Sequence, residues 1–246
     1  MMEEPLVSFI FVNRGGRNLL DAIRNVKEVY SDLRKEIIVI EQDDQLPFMR
    51  GQLFNIGVKL SGGEFLALSD NDIYHLRKVD WLDLYYINQQ PMIGWKYISQ
   101  VKLNNGKAIV TSTNECKTGH GAFNFMKKTD FVKSNGFSNL FIGYGFEDIE
   151  YAKRLKFIRV PQNLGHITHP SHRNIFPKNL EYNRKIMNEF SKKIDPALDG
   201  MSQTTFKITS DLVKDDVRFV KVTEISVPEN YKYRDILEAH YRFIKR

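Results

Sequence analysis

Leu6 to Val12 (LVSFIFV) is an unbroken apolar run rich in β-branched and aromatic residues, which predicts a strand buried on both faces. Gly15-Gly16 interrupts it, and the hydrophobic period then changes. From Asn18 to Leu33, the residues Leu19, Leu20, Ile23, Val26, Val29 and Tyr30 share one face of a helix. Glu36 to Glu41 (EIIVIE) predicts a second strand. Gln52 to Leu60 predicts a helix stopped by Gly62-Gly63, and Glu64 to Ser69 (EFLALS) a third strand. Strand–helix alternation of this kind predicts a parallel sheet with helices on both faces. Ligands of such sheets sit outside the carboxyl ends of the strands. Asn13-Arg14, Gln42-Asp43-Asp44 and Asp70-Asn71-Asp72 all fall at that edge.

Beyond residue 80 the pattern is more mixed. Trp81 to Ile87 (WLDLYYI) predicts a short helix, the stretch around Gly94-Trp95-Lys96-Tyr97 is strand-like, and Asn104-Asn105-Gly106 predicts a turn. Further helices are expected at Thr129–Asn135, with Gly136 as the stop, at Glu147–Lys156 and at Asn179–Lys193. Phe206-Lys207-Ile208-Thr209 and Arg218–Val222 read as strands. There is no internal repeat, low-complexity linker or clean boundary. The expectation is one domain over 1–246, with a nucleotide-binding half (1–75), an acceptor and metal half (76–210) and a C-terminal extension (211–246).

Composition narrows the function classes. The chain has 246 residues, 42% hydrophobic and 27% charged, enough for a sizeable core. No apolar run approaches the roughly 20 residues needed to span a bilayer. The acidic start Met1-Met2-Glu3-Glu4-Pro5 does not have the character of a signal peptide. The single cysteine, Cys116, leaves no internal disulfide and fits a reducing compartment. A cytoplasmic protein is expected. The net charge of +6 is dispersed, without a long Lys/Arg run or a nucleic-acid-binding signature. That argues against nucleic acid and leaves phosphate-bearing small molecules, or an anionic membrane surface touched peripherally.

Three constellations carry chemistry. Asp70-x-Asp72 follows a buried strand, where one carboxylate can hold a phosphate-bridging Mg²⁺ or Mn²⁺ while the other reaches a ribose or sugar. Taken alone, the pair also fits a turn or a cap. His166-x-x-His169 lies in a loop with His172, so half of the six histidines fall within seven residues. Imidazole suits Mn²⁺ or Zn²⁺, and backbone-bonded loop histidines are the other reading. Gly143-Tyr144-Gly145-Phe146-Glu147-Asp148 is a glycine-hinged loop that opens a helix with carboxylates. Glu147 or Asp148 could deprotonate an acceptor hydroxyl or simply cap the helix, and Tyr144 could stack on a sugar or fill the core.

In this order, these residues resemble the β-1,4-galactosyltransferase family. Ile10-Phe11-Val12-Asn13-Arg14 is similar to the family's P-F-R-N-R, and Phe48 to Gly57 (FMRGQLFNIG) to its F-N-R-A-K-L-L-N-V-G. Ser69-Asp70-Asn71-Asp72 resembles S-D-V-D, and Lys128 to Phe137 resembles K-Q-Q-F-L-x-I-N-G-F. Gly143 to Glu150 resembles G-W-G-G-E-D-D-D, His166-Ile167-Thr168-His169 resembles M-I-R-H, and Asp199 to Phe206 resembles D-G-L-N-S-L-T-Y.

The resemblance implies an α/β protein of the GT-A fold, a Rossmann-like, mostly parallel sheet flanked by helices, with a UDP-sugar donor and Mn²⁺ (or Mg²⁺). It implies Asp72, His169 and His166 as metal ligands, His166 standing where the family has methionine. Asp70 would contact the ribose or donor sugar, and Arg14 and Arg50 the nucleotide. Asp148 would be the catalytic base with Glu147 beside it, and Tyr144 and Gly145 would form the loop closing over the sugars. The implied reaction is an inverting transfer of galactose or N-acetylgalactosamine to a saccharide, free or lipid-linked. A retaining N-acetylgalactosaminyltransferase-like enzyme, or a catalytically degenerate nucleotide-sugar-binding module, are the alternatives. The chain departs from the family at Val12 (an arginine there), Phe146 (a hinge glycine), Ile149 (the third carboxylate) and Gly119 (a tyrosine that crowds the donor sugar's C2 substituent); a membrane anchor and disulfides like the family's are not expected.

Overall fold

The structure is a computed structural model that describes residues 5–16, 18–94, 96–104, 107–115, 122–143, 145–160, 167–170 and 179–244. In chain order the elements are β1 (Val7–Asn13), α1 (Leu19–Val29), β2 (Lys35–Gln42), α2 (Arg50–Leu60), β3 (Phe65–Asp70), β4 (Tyr74–His75), α3 (Trp81–Asn88), β5 (Met92–Ile93), β6 (Lys96–Asn104), β7 (Lys107–Glu115), β8 (Phe123–Lys127), α4 (Lys128–Lys133), α5 (Glu147–Arg154), β9 (Ile158–Arg159), β10 (Ile167–Pro170), α6 (Asn179–Glu189), β11 (Thr205–Lys214), β12 (Val217–Ser226) and α7 (Arg234–Ile244).

The expected α/β architecture is present. An eight-stranded sheet has the order β11-β12-β2-β1-β3-β8-β5-β9, and a four-stranded sheet the order β4-β10-β6-β7. Strands β12, β2, β1 and β3 are mutually parallel, and β8 then runs antiparallel to β3. Alternate side chains of the parallel strands feed separate cores. Phe9, Phe11, Val39 and Ala67 pack with α1 and α3 on one face. Ile10, Val12, Ile40 and Leu68 pack with α2, α5, α6 and α7 on the other. Burial on both faces is why these strands read as apolar runs rather than as alternation. Helix α2 is enclosed from Gly51 through Val58, so it shows no polar stripe.

Some boundaries differ from expectation. Helix α5 stops at Arg154 because Leu155 is already extended (φ −122°, ψ 136°) and leads into β9. Helix α6 stops at Glu189 rather than Lys193. The strand expected around Gly94 divides into β5, in the large sheet, and β6, in the small one. The two tail strands are much longer than their apolar centres. They form a hairpin whose two-residue turn puts Asp215 at φ 50° and Asp216 at φ 59°, a conformation aspartate tolerates.

A buried polar latch ties α5 to residues far along the chain. The Arg154 guanidinium donates to Glu150 Oε1 (2.7 Å), Asp199 Oδ2 (2.9 Å) and the carbonyls of Asp199 (2.6 Å) and Gly136 (3.1 Å). The side chains of Arg154 and Asp199 are 2% and 0% exposed. The other Asp199 oxygen accepts from the Asn139 amide (2.9 Å) and from the Tyr231 hydroxyl. Asn55 of α2 forms a two-way bridge to the backbone of Phe137, donating to its carbonyl and accepting from its amide, each at 2.9 Å. Asn135-Gly136-Phe137 and Asp199-Gly200, which resemble family motifs in sequence, are thus the joint that holds α5 in place. Replacing Arg154 with leucine leaves Glu150 and Asp199 buried and uncompensated, and should cost about 3–5 kcal/mol. Urea denaturation will show this as a lower midpoint with an unchanged slope.

Candidate active site

The carboxyl edge of the parallel strands is organised by short polar side chains. Asn13 ends β1 and joins its neighbours. It donates to Glu41 Oε2 (3.1 Å) and accepts from the Gly16 amide (2.9 Å) and from Asn71 Nδ2 (2.8 Å). Gln42 ends β2 and shapes the loop into α2. Its amide nitrogen donates to Asp44 Oδ1 (2.7 Å) and its oxygen accepts from the Met49 amide (2.9 Å). Arg14 lies outside this layer, exposed, and donates to the Asp44 carbonyl at 3.3 Å.

Arg50, the first residue of α2, is the central cation. Its Nε donates to Asp70 Oδ1 at 2.7 Å and its Nη1 to Glu147 Oε1 at 3.3 Å. The side chains of Arg50 and Glu147 are each 11% exposed, and the guanidinium sits 4.8 Å from the centre of the Phe54 ring. Burial works against the arginine's charge, but Asp70, Glu147 and Asp148 more than offset it. Glu147 is under the opposite pressure. Burial, then the charge of Asp148, push its carboxyl up to about 7, although Arg50 draws it down. Its Oε2 is buried without a hydrogen-bond partner among the described residues.

Asp148 is half-buried beside Glu147, and its Oδ1 accepts from the Ile149 amide at 2.8 Å. Glu150 faces inward to Arg154, so the acidic run at the start of α5 divides between the site and the latch. The run suits the positive end of the helix dipole. The preceding loop holds Gly143 at φ +77° and Gly145 at φ +97°. A side chain at Gly145 would place its Cβ 2.7 Å from Leu180 Cδ1 of α6. Asn183 of α6, fully buried, donates to the carbonyls of Ile142 (3.1 Å) and Gly145 (3.0 Å). Phe146 stands where the family has a hinge glycine, and it keeps a glycine-like backbone at φ +74°. That conformation costs a non-glycine residue about 1–2 kcal/mol. The Phe146 ring packs against the core, which offsets the cost.

Asp72 lies half-buried in the turn from β3 to β4. Burial, then the charges of Asp21 and Asp72, push the neighbouring Tyr74 hydroxyl up to about 12. Strand β10 runs antiparallel to β4, with Ile167 opposite His75 and Thr168 opposite Tyr74. His169 follows Thr168 in β10, one residue beyond that pairing. Tyr144, His166, His172, Gly119 and Cys116 lie outside the described residues, as does the side chain of His169. Among the described residues, no three His, Cys, Asp or Glu side chains gather as a metal-binding group.

The structure therefore brings Arg50, Asp70, Glu147 and Asp148 together at one edge, puts Asp72 in the adjoining turn, and sets Arg14 at the rim. Sequence reading placed Gln42 at the carboxyl edge without its role in shaping the loop into α2, and it missed Asn183, whose only sequence signal is a polar residue on the buried face of a helix.

Residues 111–173 match the family model described as the N-terminal domain of galactosyltransferase. No curated protein matches the chain. Among solved structures, the catalytic domain of Drosophila β1,4-galactosyltransferase 7 in complex with xylobiose aligns with a TM-score of 0.60 and 18% identity, covering 94% of this chain and 97% of that one. A mutant of the same enzyme in complex with manganese, UDP-Gal and xylobiose aligns with a TM-score of 0.59 at 18% identity and the same coverage. GalNAc-T7 with UDP, GalNAc and Mn²⁺ aligns with a TM-score of 0.56 and 11% identity over 78% of this chain and 50% of that one. The fold is GT-A. The matched segment takes in both the glycine-hinged acidic loop and the histidine loop, and together with the shared fold it bears out the resemblance to the β-1,4-galactosyltransferase family.

Proposed function

We propose that the chain is a metal-dependent glycosyltransferase that moves galactose or N-acetylgalactosamine from a UDP-sugar to a saccharide hydroxyl, with inversion at the anomeric carbon. The observation that carries this reading is the Arg50 clamp. It holds a carboxylate from the Asp70-x-Asp72 turn and one from the acidic loop at a single sheet edge, with Asp148 beside them. Support also comes from the solved relative in complex with manganese, UDP-Gal and xylobiose.

Asp72 and His169, with His166, would hold Mn²⁺. A hard carboxylate with imidazole suits that ion, Mg²⁺ being the oxygen-preferring alternative, and the register of β10 on β4 brings the two elements together. When bound there, Mn²⁺ supplies neutralisation of the charge on the departing diphosphate. Asp70, held by Arg50 at the end of β3, would contact the ribose or donor sugar. Arg14, exposed at the rim, reaches the nucleotide phosphates. Arg50 acts on the donor side through the two carboxylates it positions.

Asp148 accepts the proton of the acceptor hydroxyl as its oxygen attacks the anomeric carbon. The bond from that carbon to the diphosphate oxygen breaks on the opposite face, its electron pair leaving with UDP. Glu147 holds the acceptor, and as an acid titrating near 7 it can donate as well as accept. Tyr144 and Gly145 form the loop that covers the sugars and excludes water. The acceptor is a saccharide, free or attached to a lipid at the cytoplasmic membrane face.

Asp148→Asn should leave calorimetric UDP binding within about twofold and lower turnover roughly 10²–10⁴-fold. Turnover at the wild-type rate would remove Asp148 from the role of base, and a product with retained anomeric configuration by NMR would overturn inversion. Asp72→Ala should abolish the Mn²⁺ dependence of UDP binding in the same titration, and an unchanged isotherm refutes that role. Glu147 adds a pH signature. Its acid group is harder to ionise folded than unfolded, so its stabilising contribution is full below about 4.5 and is lost as pH rises to about 7. Glu147→Gln should remove about 2 kcal/mol of the stability loss between pH 5 and 7.5, read from urea midpoints.

A further inference from the structure

The start of α5 is set from a distant part of the chain. Phe146 is the residue from which the helix begins. Its carbonyl accepts from the Glu150 amide at 2.9 Å, closing the first turn, and its backbone lies in the left-handed region at φ +74°. A residue at that point is usually extended and offers a side-chain oxygen to the first amides. Phenylalanine has no such oxygen, no side-chain bond caps the helix, and left-handed backbone is costly for any residue with a Cβ. The conformation must therefore be held from elsewhere.

Asn183 supplies the hold. It is fully buried on α6, and its amide nitrogen donates to the carbonyls of Ile142 at 3.1 Å and Gly145 at 3.0 Å. The Gly145 carbonyl belongs to the planar peptide that joins Gly145 to Phe146. Turning that peptide over would pull the carbonyl off Asn183 and return Phe146 to negative φ. Gly145, at φ +97° and without a Cβ, would not resist the turn. The asparagine thus fixes the one torsion that the sequence disfavours. Its own helix is well anchored. Ile186 and Met187 are buried in the core, and the Tyr182 hydroxyl donates to the Ile236 carbonyl of α7. On the other side of the loop, the Gly143 amide donates to the Phe48 carbonyl at 2.9 Å.

We propose that Asn183 is a positioning residue: by fixing the Gly145–Phe146 peptide it keeps Phe146 left-handed, and so sets where Glu147 and Asp148 stand at the head of α5. Arg154 latches the far end of the helix, so a released peptide would be accommodated in the first turn, where these two carboxylates lie. Their other bonds do not prevent this. Arg50 meets Glu147 side chain to side chain, a contact that can follow a shifted backbone, and Asp148 accepts from the Ile149 amide of its own turn and moves with it. The consequence for turnover rests on the transferase reading above, with Asp148 as the base, whereas the hold on the backbone does not.

The test is a set of variants of the full chain, read by hydrogen exchange and by kinetics. Asn183→Leu keeps the shape of the side chain and removes both donors. Amide exchange over residues 145–150 should rise about tenfold. Turnover should fall about 10²-fold with calorimetric UDP binding within about twofold. Adding Phe146→Gly removes the cost of left-handed backbone, worth about tenfold, so Asn183→Leu/Phe146→Gly should exchange more slowly than Asn183→Leu and regain about tenfold in turnover. If Asn183 serves packing alone, the second glycine only loosens the loop further, and faster exchange in the double variant overturns the proposal. Wild-type exchange in Asn183→Leu overturns it as well, as does wild-type turnover despite faster exchange. Ile186→Ala, which opens the core on the same helix, should lower the urea midpoint and leave kcat within about twofold. A loss there equal to that of Asn183→Leu would reduce the effect to stability and overturn the positioning role. Asn183→Ser allows the same comparisons should the leucine variant not fold. If the wild type transfers no sugar from any UDP donor, the transferase reading fails, and the exchange measurements alone decide for or against the hold on Phe146.

Discussion

The site depends on one buried cation. Arg50 begins a helix that is enclosed almost all round, so its guanidinium cannot turn to water and must be met by carboxylates. Asp70 and Glu147 meet it from the end of β3 and the start of α5. Removing Arg50 leaves both carboxylates without a cation in a low-dielectric setting, which the fold tolerates poorly. One ion cluster therefore ties the nucleotide side of the sheet to the loop that carries the acidic residues. Its two carboxylates already outnumber its one cation and Asp148 adds a third, so burial first, and then the charge of Asp148, drive Glu147 towards its acid form.

A second cluster fixes what Arg50 cannot. The position of α5 along its own axis is set from its far end, where Arg154 is locked to Glu150, Asp199 and the Gly136 carbonyl. With both ends of an eight-residue helix anchored, the left-handed backbone at Phe146 has nowhere to relax. Asn183 holds the carbonyls on either side of Tyr144 in the same way. Strain at one residue is stable when its surroundings over-determine it.

Legibility in the sequence followed burial and sequence distance. Strands β1, β2 and β3 were plain because burial on both faces makes them apolar throughout, and their polar ends marked the functional edge. The β11–β12 hairpin was only half visible. Strand β11 is exposed along its length, and its turn uses two aspartates where Asn-Gly would have been the familiar sign. For the candidate site, residue types and order singled out Arg50, Asp70, Asp72, Glu147 and Asp148, and the structure gathers all of these but Asp72 around one guanidinium. Which residue would face which was not readable, because the partners of Arg50 lie 20 and 97 positions away. Arg50 read as a phosphate ligand, since nothing local shows that a guanidinium is enclosed. Asn135-Gly136 and Asp199-Gly200 likewise read only as stretches that resemble family motifs, and their meeting, with Arg154 donating to the carbonyls of Gly136 and Asp199, is a purely tertiary fact.

The two edges of the sheet meet their charges in different ways. Parallel strands gather loop carboxylates at their carboxyl ends, and those carboxylates converge on the buried Arg50 from positions 20 and 97 residues away. At the amino ends the acids are met locally and near water: Glu36 accepts from the Gly62 and Gly63 amides, and Glu64 is bridged to the half-exposed Lys127. A charge matched by its neighbours at the surface constrains little, whereas one matched across the fold in a low-dielectric setting fixes where distant elements lie.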